Sequence, residues 1–456
     1  MSGMTTDIKR SPWAERYDAR VRPSPWRLNV GTGGGVEQPI YQQVRTWMLV
    51  WPMLTLIARQ IVYFSGPARS AEAYQEVSAA GPRGSHVPLY IYLLFLFGFA
   101  ALGHTKVLSA LKRNTFLTLL LVLGFCSILW SFSPDTTFRM CVQVSACALF
   151  ACYLASSFTT ERFMQFLIFM GVLSAILSIL FVIFLPDYGI FRGYGGNAWE
   201  GICGHKNSLG ENMAYLLTPV FFTAAYSMKR RIAYAALLLF LIVMSQSRGA
   251  WVDTVALLGF VAWLAFIRRV RKHESRLVLL LTGAVTLIAL GLIVNYWPFI
   301  AQIMGKSPTM SGRTGIYIEV MRSVIKKPIL GYALGGFWFP GGLESKRIAL
   351  VLGWDNIGYA ESGFLEVALQ LGFLGVALLT AMLVRAVVQG VRLMRSSFYS
   401  PRVGWSLTIL FLCAITNIDG GSFLSSDSLD WVLIMIACIR LNEEYQQASA
   451  LGSVAR

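Results

Sequence analysis

Residues 192–212 read RGYGGNAWEGICGHKNSLGEN and set Arg192, His205, Lys206 and Asn207 among glycines, between two apolar stretches. Glycines let backbone approach a ligand closely, the side chains supply positive charge, and a helix start near Ser208–Glu211 aims free N–H groups at an anion. The combination suits phosphate. It lacks the GxxxxGKS or GxxxxGKT pattern of a nucleotide-binding P-loop. The same residues also fit an ordinary interfacial loop with a snorkelling lysine and a capping Asn or Ser.

Three further stretches carry comparable chemistry. SQSRGAWVD (245–253) keeps Arg248 between two apolar runs, placed to hold an anionic head group or to pair with Asp253. SGRTG (311–315) puts Gly312 and Arg313 at a helix start, which is anion-suited geometry and equally a Ser-capped surface helix. DNIGYAESGFLEVALQLGFLG (355–375) offers Glu361 where the chain re-enters an apolar run, with Glu366 further in. A partly desolvated carboxylate among arginines can serve as a general base, or can pair with an arginine structurally. The histidines, at 86, 104, 205 and 273, are scattered, with no HExxH or DxD spacing, so neither a metal nor any other cofactor is implied. No GxSxG elbow supports a serine hydrolase. The Asp-Gly-Gly and Ser-Ser-Asp of 419–427, in the connection NIDGGSFLSSDS (417–428), could bind a cation but read better as a solvated loop.

The elements that position these residues are apolar helices. Hydrophobic residues make up 55% of the 456 and charged residues 14%, against about 25% charged in soluble domains. The net charge of +16 sits in short segments between apolar runs, as the positive-inside rule requires, which argues against nucleic acid as a partner. Six of the seven cysteines lie inside apolar runs and do not form a disulfide framework. Residues 1–45 read as a disordered basic cytoplasmic tail without a cleavable signal peptide.

Twelve spans are expected, near 46–64, 87–103, 115–132, 139–158, 163–186, 211–228, 232–245, 249–267, 277–296, 363–387, 404–418 and 427–441. Arg59 weakens the first, and the seventh and eleventh are short, so the count is ten to twelve. Nine spans fill 46–296, a large external loop occupies 297–362, three spans fill 363–441, and 442–456 forms a cytoplasmic tail. Loop charge places both termini in the cytoplasm and the candidate residues on the external face of the membrane. Within the long loop, SGRTGIYIEVMRSVIKKP (311–328) reads as a helix with Ile316, Val320, Val324 and Ile325 as its apolar stripe. The aromatic, glycine-rich ILGYALGGFWFPGG after it reads as a loop lying against something.

GHKNSLG (204–210), SQSRGAW (245–251), SGRTGIY with KKPILGYALGGFW (311–338), ESGFLEVALQLGFLG (361–375) and ILWSFSPDTTFR (128–139) occur in the order and topology of the O-antigen ligase and polysaccharide polymerase family. The chain resembles its exopolysaccharide polymerase branch over roughly residues 90–440. The resemblance implies an all-α polytopic membrane protein with a GT-C-like glycosyltransferase architecture, metal-independent and inverting. Its implied partners are an undecaprenyl-pyrophosphate-linked oligosaccharide, a growing polysaccharide acceptor and the lipid bilayer, with room for chain-length regulator and export proteins. Arg248 and Arg313 match positions assigned to the pyrophosphate, with Lys206 and Arg192 as further cations. Glu361-Ser362 stand where the ligase branch has His-Asn, which favours a polymerase and makes Glu361 the candidate base, with Glu319 and Asp355 in reserve. Tyr317, Phe337 and Trp338 are expected to offer stacking faces to sugar rings. A ligase acting on a lipid A core and a lipid-linked glycan flippase or other transporter are the alternatives. A carrier should show internal repeats and mid-span charges. No repeat is visible, and apart from Arg59 and Glu366 the spans are nearly free of mid-membrane charges.

Overall fold

A chain in hydrocarbon must satisfy its own backbone hydrogen bonds, and the apolar segments accordingly become helices. The structure is a computed structural model describing residues 39–58, 87–193, 196–269, 313–339, 342–353, 357–396, 400–418, 420–421, 423–426 and 428–451. The expected ninth span, 277–296, the tail through residue 38, Arg59, Gly312 and Asp355 lie outside the described residues. The helices are α1 Pro39–Ile57, α2 Val87–Leu102, α3 His104–Arg113, α4 Thr115–Cys126, α5 Pro134–Ser157, α6 Thr160–Phe184, α7 Lys206–Phe222, α8 Met228–Met244, α9 Arg248–Arg269, α10 Arg313–Lys326, α11 Leu343–Leu352, α12 Gly363–Arg395, α13 Pro401–Thr416 and α14 Leu429–Ala450. The first starts seven residues earlier than expected, and the last runs nine residues past the expected span end at 441.

Among the described residues, four helices are long and apolar enough to cross a membrane: α5, α6, α9 and α12. The α2–α3 pair passes the same test jointly but bends by 88°. The bend falls at Gly103, where a Cβ would come within 2.7 Å of the Tyr153 ring. Lys106, Lys112 and Arg113, between the expected spans 87–103 and 115–132, therefore lie on the helix α3.

α14 is the centre of the bundle. Residues Leu429 through Asn442 are all buried, which is what a helix hydrophobic all round requires. Arg440 on it donates to Thr160 Oγ1 at 2.7 Å and to Phe158 O at 3.0 Å. At the same end, Arg231 donates to Val220 O and Phe221 O, and Asn442 accepts from Arg385 and Gln389.

The long-loop residues form a second, smaller core. Ile316, Val320 and Val324 of α10 meet Tyr332, Ile348 and Leu369. Ile325, expected in the same stripe, is 67% exposed on the other side of α10, because it sits one residue beyond the helical repeat of the buried three. The helix α11 and a hairpin of β1 Ile190–Gly193 with antiparallel β2 Gly196–Trp199 are additions that the sequence reading does not contain.

This smaller core is fastened to the bundle by backbone. α12 breaks at Gly372, whose φ of 64° and ψ of −168° are non-helical. The freed amides turn to the segment after α10: Phe373 N–H donates to Pro328 O at 2.7 Å and Leu374 N–H to Ile329 O at 3.3 Å. In return Tyr332 N–H donates to Leu369 O at 2.9 Å. A Cβ on Gly372 would lie 2.2 Å from Ile329 O, and one on Gly331 2.6 Å from Gln370 O. Both glycines are therefore fixed by close approach as well as by positive φ. SILWSFSP (127–134) joins the same dock, with the Trp130 indole donating to Leu330 O at 3.2 Å and Ser127 Oγ accepting from Leu334 N–H at 3.1 Å. Gly331→Ala should lower the Tm of the full-length protein in detergent by several degrees, since left-handed backbone alone costs an Ala about 1–2 kcal/mol. An unchanged Tm contradicts the docking.

Candidate functional site

The α7 start is built by close packing. A Cβ on Gly210 would come within 2.6 Å of Ala250 Cβ and 2.8 Å of Ser245 Oγ, so only glycine brings the first turn of α7 against the 245–250 turn. Ser247 Oγ caps α9 by accepting from Ala250 N–H at 3.4 Å. Arg248 is thereby the first residue of α9, exposed at its N-terminus. Lys206 is the first residue of α7, half-buried. Burial pushes its ammonium below its ordinary value, and the Arg248 charge adds to the effect. These two cations therefore stand within electrostatic reach of each other, beside two helix starts.

His205 takes the cap that the sequence reading gives to an Asn or Ser. Its Nδ1 accepts the Asn207 N–H at 3.3 Å, and its ring meets Phe191 edge-on. The helix starts two residues earlier than expected for this reason, and Asn207 is exposed. Lys206 Nζ lies 5.3 Å from the Phe191 ring centre. Arg192, on β1, pairs with Asp187 at 3.1 Å, both side chains more than half exposed. Its charge is thus already shared with a carboxylate.

The second group is around Glu361. Arg313, first residue of α10, puts Nε 3.1 Å from Glu361 Oε2, with 27% and 17% of the two side chains exposed. Tyr317, one turn on, donates its hydroxyl to the Glu361 carbonyl at 3.0 Å. Glu361 has a φ of 53°, a conformation that costs a non-glycine residue about 1–2 kcal/mol and that concentrates at functional sites. Its Oε2 accepts no aligned hydrogen bond among the described residues.

The turn is held from beneath by Asn417, fully buried at the end of α13. The Asn417 carbonyl accepts from Gly363 N–H at 3.0 Å and Ser362 Oγ at 3.3 Å, and its side-chain oxygen accepts from Phe423 N–H at 3.3 Å. Next to it, Thr416 Oγ1 bonds the Tyr215 hydroxyl of α7 at 2.8 Å. The end of α13 thus links the Glu361 turn to the helix that starts at Lys206.

The loop aromatics divide. Phe337 is 2% exposed and packs edge-on against Tyr332 and Trp338, so it has no face for a sugar. The smaller core needs that apolar volume. Trp338 is half-buried, and its indole N–H is taken by both Glu366 oxygens, at 2.9 and 3.1 Å. Glu366 also accepts from Ala360 N–H at 2.7 Å and from Gln370. It is a fully satisfied structural carboxylate.

Glu319, a reserve base, is likewise occupied. Arg347 Nη1 donates to its Oε2 at 2.7 Å and Arg322 pairs with its Oε1. Arg347 is a loop cation missed by the reading, although Glu344 three residues before it is the i,i+3 signal of a helical ion pair.

With this geometry in hand, residues 233–380 match the family model described as O-Antigen ligase. Over that stretch the chain is similar to the O-antigen ligases. It is also 23% identical over 368 residues to the exopolysaccharide production protein ExoQ of Rhizobium meliloti (strain 1021), covering 75% of this chain and 81% of that protein. The ligase-type segment contains Arg248, Arg313, Tyr317, Trp338 and Glu361, and both partners of the Gly331–Gly372 dock. Lys206, His205, Asn207 and Arg192 precede it.

The hydrogen bond from Arg347, assisted by Arg322, holds the Glu319 carboxyl below its ordinary 4.5. A depressed carboxyl contributes stability that is full above its unfolded value and lost as pH falls through the folded one. The Tm gap between the wild type and Glu319→Gln should therefore be full at pH 7 and close as pH drops below 4.5. A gap that is constant with pH contradicts the ion network.

Proposed function

We propose that this chain is a membrane polysaccharide polymerase. In this reading it joins undecaprenyl-pyrophosphate-linked repeat units into an exopolysaccharide on the periplasmic side of the inner membrane, by metal-independent inverting transfer. The observation that carries the reading is the Arg313–Glu361 pair, held in a strained turn at the mouth of a membrane helix. A permanent structural ion pair does not need a left-handed glutamate. Backbone strain of this kind collects where a side chain is held in a working geometry.

In the proposed step the donor's pyrophosphate draws the Arg313 guanidinium toward itself, together with Arg248 and Lys206. Glu361 is then left facing the acceptor and takes the proton of its hydroxyl. The hydroxyl oxygen forms a bond to the anomeric carbon from the side opposite the pyrophosphate. The bond between that carbon and the pyrophosphate oxygen breaks, and its electron pair stays on the pyrophosphate. Cations preorganised where that charge develops stabilise the transition state. Tyr317 keeps the Glu361 backbone in register, and Arg192 is a further cation for the anion in this reading. Twelve spans, cytoplasmic termini and the long loop as the acceptor-holding element complete the proposal.

The test uses the purified full-length protein with its lipid-linked repeat unit in a chelating buffer. Arg248→Ala and Arg313→Ala should each cost about 3 kcal/mol of transition-state stabilisation, roughly a hundredfold in rate, with expression unchanged. Glu361→Gln should stop chain growth. Full polymer from Glu361→Gln removes the base from the account. In cells, deletion should leave single lipid-linked repeats accumulating. Polymer that persists but is no longer joined to a lipid A core points to a ligase, and lipid-linked units trapped on the cytoplasmic face point to a flippase.

A further inference from the structure

Helix α10 is apolar on two sides. Its inner side is the buried stripe of Ile316, Val320 and Val324. Its outer side carries Ile318, Met321 and Ile325, at i, i+3 and i+7, exposed by 50%, 39% and 67%. Such a stripe on a water-washed loop leaves apolar area hydrated at about 25 cal/mol per Å². The charged side chains beside it, Arg322 and Lys326, pair inward with Glu319 and Glu344 instead of covering it.

The stripe does not end with the helix. It continues into Ile329, 69% exposed, and Leu330. That segment is stitched on one side to Phe373 and Leu374, and on the other to the Trp130 indole. Phe373 and Leu374 are outward-facing residues of α12, a helix long and apolar enough to cross a membrane. Trp130 closes the end of α4, whose Leu119 and Val122 face outward, with Leu129 88% exposed just before it. The outer face of the loop is thus the direct continuation of two apolar helix surfaces, and whatever covers those helices reaches it. Between Trp130 and residues 327–331 runs a groove of about 310 Å³. Lys327 stands there with its ammonium 4.1 Å from the Phe132 ring centre and 4.8 Å from that of Tyr332. An indole and a lysine at the rim of an apolar surface are the residues of a membrane–water interface.

We infer that the outer face of α10 and the Lys327–Leu330 segment lie in the interfacial layer of the bilayer, so that the long loop rests on lipid and does not stand free in water. The inference concerns placement and does not depend on the proposed chemistry, which the following measurement leaves untouched.

Nitroxides on Ile325→Cys and, separately, Met321→Cys are read in the full-length protein in phosphatidylethanolamine–phosphatidylglycerol vesicles. Cys126, the one exposed cysteine among those described, is replaced by Ser, and Val122→Cys is the lipid-facing reference. The expected result is high collision with oxygen and low collision with a water-soluble nickel chelate at both sites, with a ratio comparable to that at Val122. A nickel-dominated signal at both places the face in water and overturns the inference. Low collision with both reagents places it against protein, such as a second copy of this chain, and overturns it equally.

Discussion

The arrangement hangs on a backbone exchange between two glycine-bearing segments. Helix α12 gives up its own hydrogen bonds at Gly372 and takes the Pro328 and Ile329 carbonyls in their place, while Leu369 O receives Tyr332 N–H. In hydrocarbon a broken helix is tolerated only where other protein groups satisfy the freed backbone. The break and the loop therefore require each other. Neither accepts a side chain, since a Cβ at Gly331 or Gly372 would overlap the partner's carbonyl. The docked loop then places α10 against the start of α12, and with it Arg313 against Glu361.

Much of the helical framework was legible, and so was the identity of most charged candidates. Apolar runs bounded by basic residues mark helices by composition alone, and α5, α6, α9 and α12 fall close to where that pattern puts them. Pairing was not legible. GYALGG and QLGFLG are each visibly glycine-rich, but nothing local says that Gly331 faces Gly372 across forty residues. Asn417 sits at the edge of a stretch that reads as a solvated loop and is in fact fully buried beneath the Glu361 turn. Phe337 failed as a sugar platform for the same reason: an aromatic in a loop looks available until a second core forms around it. The cap made by His205 was not legible either, because a histidine is not a usual N-cap residue.

The cations fall into two sets with different supports. Lys206 and Arg248 are set by the Gly210 contact between α7 and the 245–250 turn, where two helix starts add their own positive ends. Arg313 is set by the loop. The end of α13 ties the sets together through Tyr215–Thr416 and Asn417–Gly363. Under the proposed function the first set is a fixed anion site. The second is conditional on the loop being docked, so chain growth and loop position are one variable.

The most direct measurement is the rate of chain growth by Gly372→Ala at a temperature where its folded fraction matches the wild type. The account predicts that polymer formation collapses while the lipid-linked donor still binds, because the anion site of Lys206 and Arg248 survives and the Arg313–Glu361 pair does not. Wild-type chain growth from a folded Gly372→Ala protein would contradict it.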